Sequence, residues 1–169
     1  MDALFDPDSL RHQAGVDFHE EQTTDDPDTF DYFAAIGGLA AVGVTNDAGA
    51  VLLMNSPHGW RLPYGPVEAD EDWIRVGRHV GTELTGADIE IAGVERVTRL
   101  NRREPDEEGR ETTSYDIVLG TAPVSGEPVD DAPEFGPWDE LEVDWFGAVP
   151  DDAYWDHGDA VDDIRSFIE

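Results

Sequence analysis

The chain reads as a single α/β domain in which helices pack against the faces of a mixed β-sheet. Apolar runs of strand length, several of them β-branched, recur along the chain and alternate irregularly with stretches of helical spacing. Tight connections between neighbouring runs read as hairpins, which precludes an all-parallel sheet. At 169 residues the chain has the usual size of one domain and shows neither an internal repeat nor a second core.

The elements follow in order. Residues 1–25 are polar and irregular, with a short strand expected around Val16 to Glu20, and 1–35 as a whole is expected to be a peripheral arm ending in a short helix. That helix runs from the cap Asp26-Pro27 through Phe33 and Ile36 to the glycine stop Gly37-Gly38. Leu39 to Thr45 and Ala50 to Met54 are apolar runs joined by Asn46-Asp47-Ala48-Gly49, a hairpin signal. Trp60 to Gly65 forms a short strand entering a turn. An acidic loop, Glu68 to Asp72, precedes a helix whose Trp73, Val76, Val80 and Leu84 recur three and four apart, with Gly86 as its stop. Ile89 to Leu100 and Thr112 to Pro123 read as a long hairpin across the charged connection 101–111. A connection rich in Pro, Gly and acids, 124–141, leads to the strand Glu142 to Phe146, and a helix from Ala153 to Ile168 closes the chain, with Trp155, Val161 and Ile164 on its apolar face.

The formal net charge is -30, from 40 acidic residues against 10 basic ones, and every basic residue is Arg. The acids are dispersed among apolar stretches, and the chain carries 5 Trp, 7 Phe and 4 Tyr, so the charge describes a solvated acidic shell around a core. Such a shell repels itself in dilute salt and is screened at molar ionic strength. The pattern resembles proteins of salt-in halophiles. The same charge repels nucleic-acid phosphates and anionic membranes, so neither is an expected partner. No stretch approaches the length of a membrane span, and the acidic start lacks the form of a secretory signal, which makes the cytoplasm the expected location. The absence of Cys removes disulfides, thiolate metal sites and cysteine nucleophiles together.

The segment Gly65 to Ala87 carries the chemistry. Gly65 is followed five residues later by Glu71, and His79, Val80, Gly81, Thr82, Glu83, Leu84, Thr85, Gly86 and Ala87 come after a further spacer of seven. This spacing resembles the Nudix box, G-x5-E-x7-R-E-U-x-E-E-x-G-U, where U is aliphatic. Gly65, Glu71, Glu83 and Gly86 match its fixed letters. The lead-in Trp60-x-Leu-Pro-x-Gly, the upstream apolar pair, the strand with Trp145-Phe146 and the last helix follow the family's order, so the resemblance covers 36–168. It implies a Nudix-type α/β/α sandwich with a mixed sheet. It also implies hydrolysis of the pyrophosphate in a nucleoside diphosphate-linked small molecule, with Mg²⁺ or Mn²⁺ held by glutamates of the box helix and a homodimer as one possible assembly.

The box departs from the family at its ligands. Of the carboxylate positions 80, 83 and 84 only Glu83 remains; the others are Val80 and Leu84, which also continue the apolar stripe, and the usual Arg is His79. A lone carboxylate is a poor Mg²⁺ site. A rearranged site would draw on Glu83 and Glu68 for metal and on Glu83, Glu71 and His79 for catalysis, with an acid from 106–108 in reach. Glu71, Arg75, His79 and Glu83, four apart, equally describe a solvated helix face laced by salt bridges. Arg61, Arg99 and Arg102, with Arg103, are candidates to clamp phosphate; the alternative is charge balance against nearby acids. His58 lies in a loop expected to border the ligand cleft, and Tyr64 or Trp138 is placed to stack on a base. Two functions therefore stand open: a divergent Nudix-type hydrolase, and a Nudix-fold protein without catalysis that binds a nucleotide or a protein partner.

Overall fold

The computed structural model describes residues 3–105, 109–129, 142–156 and 158–168; the acids of 106–108 and Trp138 lie outside this set. Two sheets organise the chain. The larger has the strand order β1(Asp17–Thr24), β6(Ile91–Arg103), β7(Glu111–Thr121), β2(Gly38–Gly43), β5(Tyr64–Val67), and the smaller β4(Gly59–Arg61), β3(Val51–Ser56), β8(Val143–Phe146). Pairing is parallel for β1 with β6 and for β2 with β7, and antiparallel for β6 with β7 and β2 with β5, so the large sheet is mixed.

The long hairpin forms as the sequence predicts. The earlier one does not continue as a ladder. β2 and β3 meet only near their turn, through Leu52 N–H to Val44 C=O at 2.9 Å and the bridge of Thr45 with Val51, and then diverge into different sheets. All four residues Val51 to Met54 are fully buried, so this strand packs on both faces and has no solvent side to share with β2.

The N-terminal arm is more integrated than its composition predicts. β1 adds a parallel edge strand along β6, and Leu4 and Leu10 join the main core. Asp8 anchors it: the carboxylate accepts from Arg99 at 2.6 Å, from Arg11 at 3.0 Å and from the Tyr115 hydroxyl at 3.0 Å. Burial, and then that bond to Asp8, pushes the Tyr115 hydroxyl up to about 12.

Helix α1(Pro27–Ala34) starts as read, with Asp26 accepting from Thr29 N–H at 2.9 Å and Pro27 in the first turn. Helix α2(Trp73–Thr85) is capped by Asp72, which accepts from Ile74 N–H at 3.0 Å, and it ends on Gly86 at φ 71°. The same Asp72 oxygen accepts Leu4 N–H at 2.9 Å, tying the arm to this helix. Gly77 lets α2 lie close on the sheet: a Cβ there would stand 2.3 Å from Leu119 Cδ1. Helix α3(Gly158–Ile168) begins five residues later than the sequence predicts, which leaves Trp155 before the helix and 49% exposed.

Each face of the large sheet carries its own core. On one, Trp73, Val80 and Leu84 of α2 pack with Ala40, Val42, Val97, Ile117 and Leu119. On the other, Val161 and Ile164 of α3 pack with Val51, Leu53, Trp60, Leu62 and Val118. The result is an α/β/α sandwich with a mixed sheet, and no helix among the described residues is long and apolar enough to cross a membrane.

Candidate functional site

Two regions bear on function, one on each side of the large sheet. The first is the edge of α2. Glu71, Arg75, Val76, His79 and Val80 line a cavity of roughly 330 Å³ with Gly65 and Pro66 of β5. Glu71 stands just before the helix and its carboxylate accepts the backbone N–H of Glu68 at 3.1 Å, so it closes the acidic loop on itself. The Glu68 side chain is exposed. One turn apart on the outer face, His79 Nδ1 and Glu83 Oε1 stand 4.0 Å from each other, with side chains 67% and 40% exposed. An exposed pair of this kind contributes little.

The residues at the box's carboxylate positions do not fit a divalent metal. Val80 is 1% and Leu84 0% exposed, both in the main core, and among the described residues no group of three or more His, Asp or Glu side chains is placed to share an ion. Mg²⁺ asks for several converging oxygens. Here one exposed glutamate is flanked on the buried side by aliphatic side chains.

The second region is a cleft of roughly 350 Å³ on the opposite face of the sheet, floored by β1, β6, β7 and β2 and walled by β4, β5 and α3. Arg61, Tyr64, Arg96, Arg102, Asp116 and Asp163 are among its polar lining, together with side chains of β1 that include Glu21. Two of its three arginines are committed. Arg96 pairs with Asp163 at 2.6 Å, and Arg102 pairs with Asp25 at 2.9 Å, donates to Ser114 at 2.7 Å and lies 3.6 Å over the Phe33 ring. Arg61 differs: its guanidinium lies 4.4 Å from the Tyr64 ring centroid and 5.7 Å from that of Tyr154. The imidazole of His58, exposed at the β3–β4 turn, stacks on the Tyr154 ring with centroids 5.0 Å apart.

The candidates of the sequence therefore separate. Arg61 and Tyr64 share the cleft, and His58 touches its rim through Tyr154. Arg102 lines the same cleft from within a buried ion pair, and Arg99 points to the other face, where it holds Asp8. Arg103 is exposed beside a smaller cavity at the far end of β6 and β7. Glu68, Glu71, His79 and Glu83 belong to the α2 side. Arg96, Asp116 and Tyr154 were not singled out by sequence. Arg96, Thr98, Leu100 and Arg102 alternate along β6 and all line the cleft, so period-two reading of that strand would have grouped them.

Neither protein-family models nor curated protein sequences match the chain. Among solved structures, the E. coli dihydroneopterin triphosphate pyrophosphohydrolase is similar in fold, with a TM-score of 0.50 and 14% identity over 78% of this chain and 94% of that one. The architecture is a Nudix-like sandwich, in agreement with the arrangement that the box resemblance implies.

Proposed function

We propose that this chain is a Nudix-fold protein that binds a nucleotide-like, phosphorylated small molecule in the arginine-lined cleft, without the metal-dependent hydrolysis characteristic of the box. The observation that carries this reading is the burial of Val80 and Leu84: the helix face that would hold metal is part of the core. The cleft supplies what recognition of such a ligand requires, namely a guanidinium between two aromatic rings, with polar side chains on the floor below. A likeness in fold to a pyrophosphohydrolase is compatible with a phosphorylated ligand and says nothing of turnover.

A second reading has its own support. Glu71, Arg75 and His79 line a cavity at the family's catalytic edge, with Glu83 beside His79, and a divergent hydrolase would use this set. In that reading Glu71 or Glu83 accepts the proton of an attacking water, His79 orients the glutamate, and Arg75 faces the phosphate charge.

The two are separated by a screen for binding and turnover in molar KCl, with and without Mg²⁺ or Mn²⁺. Its probes are nucleoside triphosphates, dinucleoside polyphosphates, ADP-ribose, nucleotide sugars and a pterin triphosphate of the kind named for the E. coli neighbour. Binding without turnover is expected. Turnover that disappears in Glu83→Gln would establish the hydrolase instead, and absence of both binding and turnover in folded protein would overturn the binding reading.

A further inference from the structure

The pairing of the arginines is uneven in an informative way. Six of the ten, Arg11, Arg96, Arg99, Arg102, Arg110 and Arg165, have a carboxylate within 4.0 Å. Of the four with none among the described residues, Arg75, Arg78 and Arg103 are exposed, where water solvates the charge. Among the described residues, Arg61 is the arginine that is half-buried with no acidic partner, in a chain with four acids for every base. Chance placement of 40 acidic residues makes a neighbouring carboxylate the easy outcome, and a guanidinium withdrawn from water normally takes one.

Its surroundings explain how it is held. The Nε of Arg61 is buried and makes no hydrogen bond among the described residues. The guanidinium lies instead within cation–π distance of the Tyr64 and Tyr154 rings, and Tyr154 is fixed in turn by the hydrogen bond from its backbone N–H to Trp60 C=O at 3.0 Å. Aromatic contacts engage the faces of a guanidinium and leave its edges. Terminal N–H donors in one plane suit two oxygens of one phosphoryl group. The other cleft arginines do not compete, since Asp163 and Asp25 already neutralise them. Asp116 shares the floor as a negative group, suited to hydroxyl or amino donors of the ligand and not to its phosphate.

We infer that Arg61, set between Tyr64 and Tyr154, is the anion-reading residue of the cleft and takes the phosphoryl or pyrophosphoryl group of the ligand edge-on. This rests on the binding reading above and adds to it the residue, the ligand group and the geometry. Planarity matters as much as charge: lysine would keep the charge and lose the stacked fork.

The test titrates inorganic pyrophosphate and ADP into the full chain by calorimetry, in KCl sufficient to keep it folded. The variants are Arg61→Lys, Tyr154→Leu and, as a control for total charge, the exposed Arg103→Lys. Affinity for both probes is expected to fall about tenfold or more in Arg61→Lys and less in Tyr154→Leu, with Arg103→Lys unchanged. In the wild type, the Arg61 side-chain ¹⁵N–¹H resonances are expected to move on adding pyrophosphate, a readout that needs no variant to fold. Undiminished affinity in Arg61→Lys, or Arg61 resonances that stay still while pyrophosphate binds, would overturn the assignment and leave nucleotide binding standing. Failure of folded wild-type protein to bind any probe of the wider screen would overturn both.

Discussion

The two faces of the large sheet are built for different ends. Against one lies α2, whose inward side chains Trp73, Val80 and Leu84 are at most 2% exposed and which approaches the sheet so closely that a Cβ at position 77 would displace the Leu119 side chain. Against the other lies a polar cleft in which arginines and aspartates line the strands. The box resemblance places chemistry on the first face, where Arg75 and His79 line a cavity, while Arg61, Arg96 and Arg102 line the cleft on the second. The spacing of the segment specifies a loop, a helix and its glycine stop, and these form here with aliphatic, core-packed side chains at positions 80 and 84.

The largest effect that would break this comparison comes from introducing a carboxylate of the box pattern into α2. Leu84→Glu puts a carboxylate where the native side chain is fully buried, and burial of an unpaired acid is expected to destabilise the fold by about 4 kcal/mol or more. One residue earlier, Glu83→Gln should leave the denaturant midpoint nearly unchanged, because that side chain is 40% exposed and its histidine neighbour is 4.0 Å away. A Leu84→Glu protein as stable as the wild type would mean that position 84 faces a site and not a core.

On the cleft side, Arg102→Met should be next in size. It strands Asp25, which is 8% exposed, and removal of one partner from a buried pair costs about 3 kcal/mol. Pairing it with Asp25→Asn should recover much of the loss, and a double-mutant cycle in urea measures the coupling. Additive losses would show that the pair is not what holds α1 and β1 to this end of the sheet.

The smallest effect concerns acid. Asp26 is held below the usual carboxylate range first by the backbone N–H and then by the hydroxyl of Thr29, and Glu20 first by Arg11 and then by Asn101. Their folded values lie below their unfolded ones, so their contribution is complete above the ordinary carboxylate range and is lost as pH falls through the depressed values. Protonation also relieves the repulsion of a -30 chain, which acts in the opposite direction. The measurement therefore belongs in molar KCl, where that repulsion is screened. There, stability should decline with acid in the wild type and decline less in Asp26→Asn, which keeps the acceptor and lacks the titrating charge.

Much of the fold was legible because it is written locally. Asp26-Pro27, Asp72 and Gly86 mark helix ends through groups within a few residues of each other, and the stripe of Trp73, Val80 and Leu84 identified the buried side of α2. The division of β2 and β3 between two sheets was not legible, because a turn signal specifies only the few residues around it. The strand of the arm was foreseen near its start, but its parallel pairing with β6 depends on residues about 80 positions away.

The sequence alone determined the acidic shell, the absence of cysteine chemistry, the box register with its two aliphatic replacements, and the mixed α/β class, all of which depend on composition or short-range spacing. Only the tertiary structure decided which arginines are committed. Arg102 meets Asp25 and Arg99 meets Asp8 across 77 and 91 residues, Arg96 meets Asp163, and Arg61 meets two tyrosines and, among the described residues, no acid. Charge balance is a property of neighbours in space, and in a chain so rich in acids spacing along the sequence cannot say which cation is left for a ligand.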